Sequence, residues 1–166
     1  MNKDYPTKHQ PIGELPMKRL LFLFAVASLL VMPQYTLGAD VDDLRAAYEK
    51  FLQAFNSLDA ATIAKTAEPG LVAYNTSSPF IEVFPTQDSF KQSTQNWFSG
   101  LESLNIDPVD LQFKVVGNTG IMWGYLSSTI KPNDGPLYTE HCRITSTFIK
   151  SSGQWRVLSI HMSYLP

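Results

Sequence analysis

The side chains able to do chemistry gather near the end of the chain. Residues 137–150 and 154–164 read as two strands joined at Ser151-Ser152-Gly153. Alternation puts His141, Arg143, Thr145 and Thr147 on one face of the first, and Trp155, Val157, Ser159, His161 and Ser163 together on the second. A hairpin brings His161 and Ser163 across from Arg143 or His141. The planar guanidinium of arginine matches a carboxylate or phosphate, and an imidazole ordinarily titrates near neutrality, which suits proton transfer. Two uses follow. In one, Arg143 and His161 line a pocket that holds a small organic acid. In the other, His161 is a general base, and Arg143 or Tyr125 stabilises a developing oxyanion. The plainer alternative pairs Arg143 with Glu140 or a carbonyl and makes His161 a satisfied core histidine.

Other chemistries fit poorly. After residue 39 the histidines are His141 and His161 alone. Glu140 adjoins His141 but points to the opposite face, so the set falls short of the three ligands that catalytic zinc takes. The lone Cys142 reads as a small buried hydrophobe. Ser163, two residues from His161, stands about 7 Å along the strand, beyond the reach of a base. There is no G-x-S-x-G elbow and no phosphate-binding loop. Neither metal nor cofactor is expected. Tyr74, Trp97, Trp123 and Tyr125 can wall a ligand pocket with His141 and Ser163, or can serve in core or interface packing.

The elements that must position these residues are legible in outline. Residues 41–57 place Val41, Leu44, Ala47, Tyr48, Phe51, Leu52 and Phe55 at intervals of three and four, the stripe of a helix with one buried face. Asp59 can cap a second helix to about Lys65, stopped by Pro69-Gly70. LVAYN at 71–75 is a short strand, and residues 80–84 form an apolar lid-like hairpin or loop. Thr86 or Asp88 caps a third helix over 87–99. Strands at about 108–117, 119–131, 137–150 and 154–164, with turn signals between them, predict an antiparallel sheet. On the second, either Ile121, Trp123, Tyr125 and Ser127 or the complementary set shares the polar face. Helices packed on a sheet of this kind make an α+β domain.

Ahead of this domain, LLFLFAVASLLVM at 20–32 follows Lys18 and Arg19 and precedes Gly38 and Ala39. Basic flank, apolar run and small residues are the order of a signal peptide, and the run is shorter than the roughly 20 residues that cross a bilayer. Residues 1–39 are therefore read as an extension and leader, with Met17 the suspected true start, and 40–166 as a single exported domain, periplasmic or secreted, with no stable membrane insertion after cleavage. From Asp40 onward, nine Lys and Arg stand against thirteen Asp and Glu, a formal charge of −4. That balance offers no footprint for a phosphate backbone, so nucleic acid is not an expected partner.

The order of elements and the tail TEHCRITSTFIKSSGQWRVLSIHMSYLP resemble the nuclear-transport-factor-2-like superfamily, most closely its SnoaL-like domains and the association domain of calcium/calmodulin-dependent kinase II. Arg143 with Thr145, Gly153 with Trp155, and His161 with Ser163 carry the resemblance, and LRAAYEKFLQAFNSLDAATIAKT looks like the family's opening helix pair. The resemblance implies a cone-shaped, cystatin-like fold: N-terminal helices packed on a strongly curved antiparallel sheet around a cavity, with the outer sheet face forming a homodimer. It also implies pocket-lining roles for Arg143 and His161. The family's isomerases and cyclases use a cavity carboxylate as base, whereas this chain has Tyr74 and Asn75 where many relatives carry an acid. The expected function is therefore binding of a small molecule in a semi-polar cavity. The alternatives are an isomerase, cyclase or dehydratase using His161, and a structural oligomerisation domain.

Overall fold

The computed structural model describes residues 37–76 and 78–165; the leader run and the start at Met17 lie outside them. Three helices, α1 (Leu37–Asn56), α2 (Ala60–Thr66) and α3 (Gln87–Phe98), accompany six strands: β1 (Ala67–Tyr74), β2 (Glu82–Phe84), β3 (Leu101–Val116), β4 (Thr119–Pro132), β5 (Tyr138–Ser151) and β6 (Gln154–Tyr164).

Local chemistry sets the helix boundaries. Leu58, in the left-handed region at φ 55°, closes α1. Its N–H donates to Phe55 O (3.0 Å) and the N–H of Asp59 donates to Ala54 O (2.8 Å), which satisfies carbonyls that the helix end leaves free. Asp59 then caps α2: its carboxylate accepts from Thr62 N (3.0 Å) and Thr62 Oγ1 (2.6 Å). The same Thr62 hydrogen bonds hold the Asp59 carboxyl below its usual range. Thr86 caps α3 in a reciprocal box with Ser89.

The sheet runs β2-β1-β6-β5-β4-β3. It corrects the expected cone. β1 joins β6 in parallel while every other pairing is antiparallel, so the sheet is mixed. It is also open: β2 and β3 are its two free edges and do not meet, so it neither closes nor curls strongly. Beneath the helices, much of the sheet face is occupied by packed side chains. Leu44, Tyr48 and Phe51 of α1 and Ile63 of α2 form one buried cluster with Met122, Leu126, Ile144, Phe148, Val157 and Ile160 of the sheet. Tyr48 meets Phe148 edge to face, with ring centroids 6.4 Å apart.

Two glycines of β4 permit this packing. A Cβ on Gly120 would stand 2.6 Å from a methyl of the fully buried Leu44. Gly124 lies opposite the bulge of β3, where the register passes from Val109↔Tyr125 to Gln112↔Trp123 and Asp110 adopts φ 51°. A Cβ there would meet Asp110 O at 2.9 Å and a Leu111 methyl at 2.8 Å. Because a carbonyl of the strand cannot swing away as a side chain does, Gly124→Ala is expected to cost about 1–3 kcal/mol. Urea unfolding followed by tryptophan fluorescence measures it, and an unchanged midpoint would show that the bulge yields freely.

Candidate functional site

The layer of helices decides which sheet face is free. Cys142, Ile144, Ser146 and Phe148 of β5 are buried beneath it, as are Met122, Leu126 and Ser128 of β4. The alternate residues therefore point away from the helices. Pairing sets them in rows across strands: Gln112, Trp123, Thr145, His161 and Tyr74 form one row, and Val109, Tyr125, Arg143 and Ser163 the next. His141 lies opposite Ser127 on the same face.

Arg143, Ile144, Thr145, His161 and Ser163 line a concavity of about 350 Å³ on this face. Arg143 faces Ser163 and Thr145 faces His161, so the guanidinium and the imidazole stand diagonally across a hydroxyl pair. Diagonal neighbours on a sheet are roughly 7–8 Å apart, a gap that one small molecule spans. The ring of Tyr74 meets His161 edge on, with centroids 5.5 Å apart. Arg143 donates through Nη2 to the carbonyl of Tyr164 at 3.5 Å, and it makes no ion pair among the described residues. Its remaining N–H groups are exposed to solvent or a ligand.

Alternation along β6 breaks at a bulge: the register passes from Thr147↔Ser159 to Phe148↔Val157, so Trp155 and Val157, expected on the face of His161 and Ser163, are buried on the helix side instead. The structure brings Arg143, His161, Ser163, Tyr74, Trp123, Tyr125 and His141 onto one surface. That surface is the outer face, not the helix-lined interior. Trp97 does not join it. It sits in α3 against Phe55 and Phe98, with centroids 6.2 and 5.3 Å away. Glu140 points to the helix side, where its carboxylate accepts from the Tyr164 hydroxyl at 3.2 Å. Burial first, then Glu140 and Tyr164, raises the neighbouring Tyr138 phenol above its ordinary range. No group of three or more metal-ligating side chains occurs among the described residues, and no described helix is long and apolar enough to cross a membrane.

A second concavity, of about 190 Å³, lies between α1 and the β3 bulge. Arg45, Tyr48, Glu49 and Leu52 line it from the helix, and Pro108, Leu111 and Phe113 from the strand. Sequence reasoning missed it, although Arg45, Tyr48, Glu49 and Leu52 at spacings of three and four already shared a helix face. Its floor carries a pH prediction. Burial, with a smaller contribution from Cys142, pushes the Tyr48 phenol well above its ordinary range. The neutral phenol is thus favoured by folding, and its contribution is complete below the unfolded pKa near 10. Above that pH the unfolded chain ionises first, and stability falls by up to about 1.4 kcal/mol per pH unit. Tyr48→Phe should make the fall between about pH 10 and 11 shallower in urea titrations. Parallel slopes for the two proteins would show that burial of this phenol does not drive it.

Comparison with known proteins now bears on the site. The family model of the SnoaL-like domain matches residues 44–166. The chain belongs to the SnoaL-like domain family. Solved structures share the fold of this SnoaL-like domain, among them proteins named NTF2-like. A candidate dehydratase of the NTF2-like family from Streptomyces avermitilis shares 18% identity, covering 79% of this chain and 99% of that one with a TM-score of 0.67. A candidate scytalone dehydratase from Novosphingobium aromaticivorans shares 8% over 77% and 85%, with a TM-score of 0.69. A ketosteroid isomerase-like protein from Erwinia carotovora atroseptica shares 16% over 76% and 97%, with a TM-score of 0.62. At such identities the likeness is one of fold. No curated protein matches the chain. SnoaL-like membership is consistent with small-molecule binding or enzymatic chemistry, the level at which the fold alone speaks.

Proposed function

We propose that this SnoaL-like domain is an acid–base enzyme acting on a small enolisable carbonyl compound at the Arg143–His161 groove. The observation that carries the reading is the convergence of Arg143, Thr145, His161 and Ser163 in one concavity of about 350 Å³. His161 is the general base that takes a proton from the carbon beside the carbonyl. Arg143 holds the enolate oxygen by charge-assisted hydrogen bonds. The Thr145 and Ser163 hydroxyls orient the substrate, and Tyr74 fixes the imidazole edge on. The names of the similar structures, dehydratases and a ketosteroid isomerase-like protein, support proton-transfer chemistry over simple storage of a ligand.

The groove is open on its outer side, and a second copy of the chain completes it in this proposal. Ile121, Trp123, Tyr125 and Leu158 are all at least one-third exposed on the free face, an apolar and aromatic composition that suits an interface core. Export of the domain from Asp40 onward, with removal of residues 1–39, belongs to the same proposal. It places the N-terminus beside the ion pair of Asp40 with Lys150.

The test needs no product to be known in advance. Small ketones, β-diketones and hydroxyketones are incubated with the protein in deuterated buffer, and hydrogen exchange at the α-carbon is followed by NMR. Exchange well above the buffer rate with at least one class supports the proposal. Exchange at the buffer rate throughout overturns it. Saturable binding of the same compounds without exchange would instead establish the binding-protein reading, in which Arg143 holds an organic acid and His161 only hydrogen-bonds it.

A further inference from the structure

The cleft between α1 and the β3 bulge has a composition that the Arg143–His161 groove lacks. Its rim carries both signs of charge. Arg45 and Glu49 are one helical turn apart, both exposed, and neither is in an ion pair among the described residues. Helical neighbours of opposite charge commonly pair. Here the Arg45 guanidinium lies over the Phe113 ring, 4.4 Å from its centroid, which holds the cation at the mouth of the cleft. Between the two charges the walls are apolar: half-buried Leu52 from α1, and half-buried Leu111 and Phe113 from β3. The buried Tyr48 forms the floor.

The fold is arranged to hold this shape. Two residues of β3, Asp110 and Leu111, stand opposite the single Gly124 of β4, and the glycine is what admits them. The bulge therefore aims Leu111 into the cleft. One turn beyond Leu52 and two beyond Glu49, the Asn56 side chain clamps the edge of β3. Its amide donates to Ile106 O (3.2 Å) and its carbonyl accepts from Ile106 N (2.8 Å). Helix and strand are thus tied at one end of the cleft, which fixes the separation of its walls.

We infer that this cleft is a binding site for a small zwitterion, an α-amino acid with an apolar side chain. Its carboxylate pairs with Arg45, its ammonium group with Glu49, and its side chain lies against Leu52, Leu111 and Phe113 over Tyr48. A volume of about 190 Å³ suits such a molecule and is below the roughly 300–1,000 Å³ of sites for drug-sized ligands. Two opposite charges at a fixed spacing discriminate against molecules carrying only one of them, because the unmatched rim group then loses water without gaining a partner. The site is independent of the acid–base reading and shares none of its residues.

The experiment is an amide-resolved NMR titration of the domain with L-leucine and L-phenylalanine, beside 4-methylpentanoate and 3-phenylpropionate, which lack the ammonium group, and isoamylamine and phenethylamine, which lack the carboxylate. Saturable shifts centred on residues 45–52 and 108–113 are expected with the amino acids, and at least about tenfold weaker binding of the acids and the amines. Arg45→Gln and Glu49→Gln, both on the exposed rim, should each weaken amino-acid binding at least about tenfold. Arg143→Ala should leave it unchanged, so that failure of the groove and failure of the cleft are distinguishable. No saturable shift at the cleft up to about 50 mM amino acid overturns the inference. So does equal binding of the deaminated acids with Glu49→Gln unaffected, since the carboxylate of Glu49 then recognises nothing.

Discussion

Phe148→Ala is expected to cost about 3–5 kcal/mol, the largest loss of stability from a single truncation in this fold. Phe148 is 1% exposed and sits where the helix layer meets the centre of the sheet. Across β4 it faces Gly120, which has no side chain, and across β6 it faces Val157. Above it the Tyr48 ring stands at 81° to its own. Truncation removes the edge-to-face contact and opens a void that the opposite glycine cannot fill, and Leu44 already occupies the space over Gly120. Because a domain's net stability is only about 5–15 kcal/mol, such a loss leaves a large part of the population unfolded under mild denaturant. Urea titration should show a sharply lowered midpoint with an unchanged slope. The control is Thr147→Ala on the other sheet face, expected to stay within about 0.5 kcal/mol. A cost below about 1.5 kcal/mol at Phe148 would mean that α1 settles into the vacated space and that the layer does not depend on this ring.

How much of this architecture was legible depends on how local its causes are. The caps at Asp59 and Thr86 and the ends of β4, β5 and β6 follow from side-chain hydrogen bonds and turn residues adjacent in sequence, and they fall where the sequence places them. Sequence patterning predicts a strand only from about residue 108, yet β3 begins at Leu101. Its first half is polar and includes Asn105, Asp107 and Pro108, residues at home on an edge strand that periodicity does not reveal. The lid-like segment at 80–84 proved to contain β2, an edge strand of three residues. The parallel pairing of β1 with β6 joins residues far apart in the chain and leaves no turn signal to read. That pairing, with the unpaired edges, makes the sheet mixed and open, not an antiparallel cone.

The candidate site shows the same division. Period-two alternation groups His141, Arg143 and Thr145 as the structure does, but it also joins Trp155 and Val157 to His161 and Ser163, and the β6 bulge parts them; nor does it say what covers a face. The answer lay in the complementary set. Cys142, Ile144 and Phe148 are the more apolar residues of β5, and the helices cover them. Arg143 between Cys142 and Ile144, and His141 just before them, alternate to the other side. The α1 cleft was invisible for a different reason. Arg45 and Glu49 acquire a common mouth only when the β3 bulge turns Leu111 toward them, and a bulge depends on the partner strand having Gly124 at one position.

His161→Ala is expected to lower α-carbon proton exchange by about 10²–10⁴-fold, the range a positioned general base contributes, equivalent to roughly 2.7–5.5 kcal/mol of barrier. The imidazole is exposed in the groove, flanked by Thr145 in the adjacent strand and by the edge of Tyr74. Exposure sharpens the test. Removing the ring leaves an open notch, not a void in the core, so the variant should remain folded with an unchanged urea midpoint. Imidazole added to the buffer can enter that notch, and partial recovery of exchange, saturating with imidazole, is the expected signature of a missing base. A merely structural histidine would show no such rescue. Arg143→Gln should lose about 10²–10³-fold by removing the charge that faces the enolate oxygen, and should not respond to imidazole. Thr145→Val, which keeps both groups and deletes only a hydroxyl beside them, is expected to lose far less. If His161→Ala and Thr145→Val lower exchange equally, or if imidazole restores neither, proton transfer at this groove does not pass through His161, and the site is a place where ligands bind but do not react.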